Sequence, residues 1–284
     1  MYSKKYKLSV AVPSLVWVSL SLLVPYLFLL CYSFWSVENS QIQTHWNLAN
    51  YARFFSNPMY AQVLGRSMKI AATVTALALL IGYPLAYYIS FYTRARKDML
   101  YQMVIIPLWV SYLVRGYAWK TILGSDGVVN GFLQFLGITN EPVGFLLYSP
   151  FAVIITLTHI YAPFVFLPVF STLEHIPRNL VEASKDLGAT PMTTFFRVIL
   201  PLSLPGVVAG GVFAFVLSLG DFLAPTLVGG SSGIMISNIV VSLFGAAYDW
   251  PLGAAIAFVI MILVITLLYF TEHIEKKFKG APAK

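Results

Sequence analysis

The sequence is poor in charge. Only 10% of its 284 residues are charged, whereas 58% are apolar, and the mean hydropathy is +0.78. A soluble domain of this length would carry about 25% charged residues. The composition therefore predicts an integral membrane protein. We attribute the net charge of +7 to membrane topology and to contact with anionic lipid, not to nucleic-acid binding.

Several catalytic and ligand-binding patterns are absent. The sequence has no G-x-x-x-x-G-K-[ST] motif, so this chain does not itself cradle ATP phosphates. It has no Cys/His cluster at metal-ligand spacing and no evident Ser–His–Asp arrangement. Cys31 is the only cysteine, which excludes an internal disulfide. We expect a non-enzymatic chain with no metal site and no cofactor of its own.

Long apolar stretches dominate what remains. A helix needs about 20 apolar residues to cross the hydrocarbon of a bilayer. Six stretches qualify, at residues 10–32, 70–92, 99–119, 150–171, 202–220 and 250–271. We predict an all-α integral membrane protein with six transmembrane helices, in which residues 1–284 form a single transmembrane domain.

One further uncharged segment runs from Phe222 to Tyr248 and is interrupted by proline and glycine. Its last part, residues 234–247, is too short to cross the bilayer. Lipid tolerates irregular backbone only where protein shields it. We therefore predict a re-entrant or interfacial segment here.

The positions of Lys and Arg predict the orientation, because cytoplasmic segments are enriched in these residues. With the N-terminus inside, the outer segments carry only Arg53, Arg66, Lys69, Arg115 and Lys120. All the others among the 18 Lys and Arg residues fall in inner segments. We predict that both termini and the loop 174–201 face the cytoplasm.

The loop 174–201 has the pattern of two short helices. Pro177 suits a first helical turn, and Gly188 suits the position just past a helix end. One face of the helix between them carries Leu180, Ala183, Ser184 and Leu187. Thr190 and the proline after it suit the start of a second short helix that runs to Ile199. On this pattern alone, the loop either docks on a protein partner or lies on the lipid surface.

The same loop resembles the EAA motif of ABC importer permeases, which reads EAA, three residues, Gly, nine residues, Ile, one residue and Leu-Pro. The matching residues are Glu182-Ala183-Ser184, Gly188, Val198, Leu200 and Pro201. Ser184 and Val198 depart from the pattern, and both changes are small. The stretches DLGAT, LPLSLPGVVAG and SLGDFLAPTLVGG are most similar to membrane subunits of spermidine/putrescine-type importers.

This resemblance implies a type I ABC importer permease fold in the bacterial cytoplasmic (inner) membrane. In that family the loop is a coupling helix that docks in a cleft of the cytoplasmic ATPase. The resemblance thus assigns ATPase contact to Glu182, Ala183, Ser184, Asp186, Leu187 and Gly188. It also implies a homodimeric ATPase subunit that holds ATP and Mg, a second homologous permease, and an extracytoplasmic solute-binding protein.

Gly206 and Gly210 form a G-x-x-x-G pattern in the fifth span. Small residues at this spacing permit the close approach of another helix. The sequence leaves two partners open for this face, namely a helix of the same chain and the second permease.

Acidic and aromatic residues near the span ends are candidates for a cargo path. A polyamine would need carboxylates for charge pairing and ring faces for cation–π attraction. The candidates are Asp221, Phe222, Asp249, Trp109, Tyr112 and Tyr117. Other roles are open: Trp and Tyr line the interfaces of most membrane proteins, Asp221 could simply end its helix, and Asp249 could cap the next one. Arg115 in the same zone argues against a purely cation-attracting path.

The sequence thus predicts a permease subunit of an ATP-driven, binding-protein-dependent importer, with polyamines as the predicted cargo. The same machinery could instead carry another small organic solute, such as an amino acid or an opine. A secondary transporter or channel would favour midplane charges or internal repeats, and neither is clear here. An intramembrane enzyme would need a catalytic constellation that the sequence lacks.

Overall fold

A computed structural model describes residues 4–38, 41–93 and 95–279. Most of this chain is helical, and one hairpin consists of strands β1 (Ser36–Glu38) and β2 (Gln41–Gln43). The helices are α1 (Lys4–Ser33), α2 (Ala49–Ser56), α3 (Pro58–Tyr92), α4 (Lys97–Trp109), α5 (Tyr112–Leu123), α6 (Val128–Phe135), α7 (Pro150–Glu174), α8 (Arg178–Asp186), α9 (Pro191–Thr194), α10 (Leu200–Gly220), α11 (Ile236–Phe244) and α12 (Trp250–Lys279). A 3₁₀ turn covers Gly144–Leu146, and π-helical turns cover Phe195–Ile199 and Pro225–Gly229.

Five helical segments of the described chain are long and apolar enough to cross a membrane. They are Val12–Ser33, Pro58–Tyr92, Pro150–Glu174, Pro191–Gly220 and Trp250–His273. A sixth span results if α4 and the helices that follow it are taken together. The all-α membrane architecture predicted from the sequence is therefore confirmed. The cytoplasmic location of the two termini stays a prediction, and residues 1–3 and 280–284 lie outside the described part of the chain.

The third predicted span, residues 99–119, is not one continuous helix. The chain bends by 93° between α4 and the segment that starts at Tyr112. Pro107 lies in the last turn of α4 and offers no backbone N–H, which weakens the helix there. Val110 then takes an extended conformation (φ −79°, ψ 134°), and α5 begins two residues later. A search for apolar residues does not detect such a break.

The second short helix of the loop is also different from the prediction. Thr190 caps it as expected, since its hydroxyl accepts a hydrogen bond from the Thr193 N–H at 3.2 Å. The helix does not stop at Ile199, however. It continues through the π-helical turn into α10, so Pro191–Gly220 is one helical run. Pro201 lies within this run, directly after the π-helical turn Phe195–Ile199.

The chain forms two compact units. Of the described residues, the first unit contains 4–38, 41–61 and 239–263, and the second contains 62–93, 95–238 and 264–279. In the first unit, the buried Asn50 ties α2 to the end of α1, since its side-chain amide donates to the carbonyls of Ser33 (3.1 Å) and Trp35 (2.7 Å). The Tyr32 and Trp250 rings lie 6.1 Å apart in the same unit.

The second unit is built around α7. The buried residues of α7 include Leu157, Val165, Phe166 and Leu173, and its most extensive packing is against α10. Helix α3 contributes further buried residues to the same core, including Val74 and Ile89.

The segment predicted to be re-entrant contains two short helical pieces. Helix α11 has nine residues, so it spans only about 13 Å at roughly 1.5 Å per residue and cannot cross a bilayer. The backbone just before α11 packs closely on the rest of the protein. The Ser149 N–H donates to the Val228 carbonyl (3.2 Å), and a Cβ on Gly230 would lie 2.8 Å from the backbone carbonyl oxygen of Tyr148. This shielding is what irregular backbone within a membrane would need. A re-entrant location stays a prediction.

Candidate functional site

Helix α8 ends as the sequence predicts, at the turn made by Gly188. Gly188 has φ +77°, a conformation that glycine adopts without steric cost. Its N–H donates to the Lys185 carbonyl (2.8 Å), and the Ala189 N–H donates to the Ser184 carbonyl (3.1 Å). These two bonds form a Schellman motif, which satisfies carbonyls left unpaired at the helix end.

The predicted coupling residues divide into an outer and an inner set. Leu187 is 89% exposed, and the other exposed members are Glu182, Ala183, Asp186 and Gly188. Leu180, on the same face, is also exposed. Ser184 differs, because it is half-buried and its hydroxyl lies 2.8 Å from that of Thr194. Ser184 thus joins α8 to the helical run leading into α10, while the outer residues form a surface that the rest of the described chain leaves exposed. Contact of that surface with an ATPase stays a prediction.

Gly206 and Gly210 lie against α7 of the same chain. A Cβ on Gly206 would come within 2.5 Å of the Thr172 hydroxyl, and one on Gly210 within 3.0 Å of the Val165 backbone. Of the two partners that the sequence left open, the structure thus places a helix of the same chain at this face.

Asp221 lies just past the end of α10 and is only 7% exposed. Its Oδ1 accepts hydrogen bonds from the backbone N–H groups of Leu223 (2.9 Å) and Ala224 (3.0 Å). Its Oδ2 accepts hydrogen bonds from the hydroxyls of Tyr112 and Tyr161, the latter at 2.6 Å. One oxygen therefore shapes the chain after α10, and the other joins α10 to α5 and α7.

Asp221 and the two tyrosines line a cavity of about 430 Å³ that also exposes Phe222. Within the described residues, Asp221 has no cation within ion-pairing distance. The guanidinium of Arg115 lies 5.9 Å from the centre of the Tyr112 ring. The site therefore places a buried carboxylate, held only by hydrogen bonds, in the wall of a cavity with aromatic faces.

The remaining cargo candidates lie elsewhere. Trp109, at the end of α4, and Tyr117, in α5, are both exposed and do not line this cavity. Asp249 belongs to the other unit, where its Oδ1 accepts the Leu252 N–H (3.2 Å) and its Oδ2 pairs with Arg53 (2.9 Å). Asp249 thus caps α12, the alternative role that the sequence left open.

Tyr161 is the member of the site that sequence reasoning missed. It lies in the apolar run of α7, where one tyrosine among many apolar residues carries no periodic signal. Only the packing of α7 beside α5 and α10 brings its hydroxyl to Asp221.

The sequence from residue 78 to residue 279 matches a family described as "Binding-protein-dependent transport system inner membrane component". The chain belongs to this family. It is therefore a membrane permease subunit of an ABC importer and a multi-pass protein of the bacterial cytoplasmic membrane. The resemblance that the EAA-like loop suggested is confirmed.

The sequences of curated relatives align with most of this permease. The chain is 34% identical over 275 residues to the spermidine/putrescine transport system permease protein PotB of Haemophilus influenzae, covering 96% of this chain and 95% of that protein. It is 38% identical over 238 residues to the inner membrane ABC transporter permease protein YdcU of Escherichia coli, covering 80% and 75% of the two chains.

Solved structures share the fold of this permease at low sequence identity. A bacterial ABC transporter that imports alginate matches with a TM-score of 0.71 and 21% identity, over 95% of this chain and 94% of that chain. The methionine ABC transporter MetNI matches with a TM-score of 0.60 and 19% identity, over 78% and 98%. Both likenesses bear on the fold alone.

Proposed function

We propose that this permease takes part in the ATP-driven import of polyamines such as spermidine and putrescine. The observation that carries the proposal is the similarity to PotB of Haemophilus influenzae over 96% of this chain. The permease would form half of the translocation path, and a second homologous permease would form the other half. An extracytoplasmic solute-binding protein would deliver the cargo.

The exposed face of α8 is the proposed contact with the ATPase. Leu180, Ala183 and Leu187 form an apolar patch on a helix of nine residues, and no other part of the described chain covers it. An exposed apolar face beside Glu182 and Asp186 suits a cleft in a partner protein. The partner would be a homodimeric ATPase that holds ATP and Mg. This arrangement requires α8 to lie on the cytoplasmic side.

The cavity beside Asp221 is the proposed point of contact with the cargo. A carboxylate with no cation within ion-pairing distance in the described chain attracts a cation, and the rings of Tyr112, Tyr161 and Phe222 offer faces for cation–π contact. An ammonium group in the cavity would share Oδ2 with the two tyrosine hydroxyls. Such shared contacts allow release, which a transport site requires.

Uptake by the reconstituted importer tests the cargo. The permease, its ATPase, the second permease and the binding protein would be placed in proteoliposomes with ATP inside and radiolabelled spermidine or putrescine outside. We expect ATP-dependent uptake of the polyamines and little uptake of an amino acid or an alginate oligosaccharide. Preferential uptake of another solute would refute the polyamine assignment, and uptake without ATP would refute the importer mechanism.

The substitution Asp221→Asn tests the cargo contact. The Asn carbonyl oxygen can still accept the two backbone N–H groups, so the turn after α10 is retained while the charge is removed. We expect polyamine uptake to fall about tenfold, which corresponds to roughly 1.4 kcal/mol and lies within the range for one cation–π or charged hydrogen-bond contact.

Asp249→Asn is the matched control for this test, because it makes the same change at another carboxylate that accepts a backbone N–H group. Its uptake should stay close to wild type. Unchanged uptake in Asp221→Asn would leave Asp221 with a purely structural role. Equal losses in the two variants would show that the effect is not specific to the cavity.

A further inference from the structure

Polar side chains from four helices meet beside the start of α8. Glu174, the last residue of α7, accepts hydrogen bonds from Lys97 in the first turn of α4 and from the Ser90 hydroxyl of α3 (2.5 Å). Arg178, the first residue of α8, lies 3.7 Å from the same carboxylate. We call Ser90, Lys97, Glu174 and Arg178 the Glu174 clasp.

Arg178 connects α8 to α3. Its Nη2 donates to the Ser90 carbonyl at 2.7 Å, and the guanidinium lies 4.0 Å from the centre of the Phe91 ring. A guanidinium that stacks on a ring and also donates hydrogen bonds has a defined orientation, which a lysine ammonium would not have. The start of α8 is therefore fixed in direction relative to the end of α3.

The clasp is more important for geometry than for stability. The charged side chains of Lys97, Glu174 and Arg178 are only partly buried, and exposed ion pairs contribute little to folding. Joined in one network, however, they fix the relative positions of four helix ends. Only residues 175–177 separate α7 from α8, so a change in the direction of α8 acts on the clasp directly.

Helix α8 has a second attachment at its other end. The Ser184 hydroxyl meets that of Thr194 at 2.8 Å, which ties the last turns of α8 to the helical run leading into α10. The two attachments lead to different helices: Ser184 leads to α10, and Arg178 leads to α3 and α4.

We propose that Arg178 and Glu174 are positioning residues that carry movement of α8 to α3 and α4. The inference rests on the proposed function, in which an ATPase docks on the outer face of α8. In this scheme the ATPase displaces α8, and the clasp makes the ends of α3 and α4 follow. Without the clasp, the ATPase would still displace α8 and, through Ser184, α10, but α3 and α4 would no longer follow.

Spin-label distances test whether the clasp holds α8. Labels would be placed at Asn179 in α8 and Asp98 in α4, both exposed, in a Cys31→Ser background that removes the only native cysteine. In the ATPase-bound complex we expect one narrow distance distribution. Arg178→Met, which retains an apolar chain over Phe91 but loses the charge and the donors, should widen that distribution at least twofold.

Arg96→Met is the matched control, because it removes an exposed cation next to Lys97 that makes no side-chain contact among those described for the clasp. Its distance distribution should match the wild type. A distribution that stays narrow in both Arg178→Met and Lys97→Met would overturn the inference, whatever the cargo proves to be.

The ratio of polyamine uptake to ATP hydrolysed in the same proteoliposomes tests transmission. A purely structural role would lower the amount of assembled complex and leave this ratio unchanged. We expect the ratio to fall at least fivefold in Arg178→Met and in Lys97→Met, to recover in part in Arg178→Lys, and to stay at the wild-type value in Arg96→Met.

The outcomes separate the inference from the proposed function. A wild-type ratio in Arg178→Met, with a widened label distribution, would mean that the clasp holds α8 without transmitting movement, and the inference would be wrong. Failure of the wild-type permease to bind an ATPase would refute the proposed coupling and this inference together. A coupled wild type with unaffected clasp variants would refute the inference alone.

Discussion

Replacing Gly188 with valine tests the role of the α8 turn in coupling. Gly188 has φ +77°, and no atom would lie within 4 Å of an added Cβ. The substitution therefore strains the backbone without creating a clash. A non-glycine residue in this left-handed region costs about 1–2 kcal/mol, and a β-branched one is particularly unfavourable. A cost of that size changes a conformational equilibrium roughly 5–30-fold.

The strain acts on the two hydrogen bonds that close α8, from the N–H groups of Gly188 and Ala189. When they open, Leu187 no longer has a fixed position on the proposed docking face. We expect ATP-dependent uptake by Gly188→Val to fall fivefold or more in proteoliposomes, with inserted protein near the wild-type amount. Gly188→Asn should retain most uptake, because asparagine tolerates the left-handed region better than other non-glycine residues.

A second Schellman motif in the same chain provides the control. Gly137 has φ +67° and nothing within 4 Å of an added Cβ. Its N–H donates to the Gln134 carbonyl (2.9 Å), and the Ile138 N–H donates to the Leu133 carbonyl (3.0 Å). Gly137→Val therefore applies the same strain at the end of α6 and should leave uptake near wild type. Normal uptake in Gly188→Val, or an equal loss in Gly137→Val, would refute the reasoning.

Three further predictions concern the membrane topology, the packing of α10 and a surface ion pair. A reporter fused after Lys185 should behave as cytoplasmic and one fused after Asn130 as external, in paired phosphatase and fluorescence assays; the reverse result at either site would contradict the proposed orientation. Gly206→Val should lower the yield and the thermal unfolding temperature, since its Cβ would lie 2.5 Å from a threonine hydroxyl of α7. Gly211→Val, with no atom nearer than 3.5 Å to its Cβ, should be tolerated, and equal losses would contradict the packing argument. Arg53→Met removes the ion pair with Asp249, and it should change the free energy of unfolding by less than about 1 kcal/mol because the Arg53 side chain is 56% exposed. A larger loss of stability in denaturant titration would show that the pair is more than a surface contact.

Features with a local cause could be predicted from the sequence. A transmembrane helix is specified by a run of apolar residues, because each backbone group within lipid must find its partner inside the helix. Helices α1, α3, α7, α10 and α12 accordingly cover five of the six predicted apolar stretches. The end of α8 is also local, since a glycine just past a helical pattern favours the left-handed turn seen at Gly188.

Other features depend on which helices lie side by side, and the sequence alone does not specify that. By periodicity Ser184 belongs to the exposed face of α8, yet its hydroxyl is hydrogen-bonded to the hydroxyl of Thr194. Gly206 permits close approach to any helix, and only the packing shows that the helix is α7. Asp221 and Tyr161 are 60 positions apart along the chain, as are many pairs that never meet.

The sequence by itself determined that this is a membrane protein and that a short helix ends at Gly188, because hydropathy and turn chemistry are properties of neighbouring residues. Only the tertiary structure decided the hydrogen-bond partners of Asp221 and the assembly of the Glu174 clasp. Both sites combine side chains from helices far apart in the chain, whose directions depend on bends such as the one after Pro107. Local propensity cannot place such side chains, because their distances follow from the packing of whole helices.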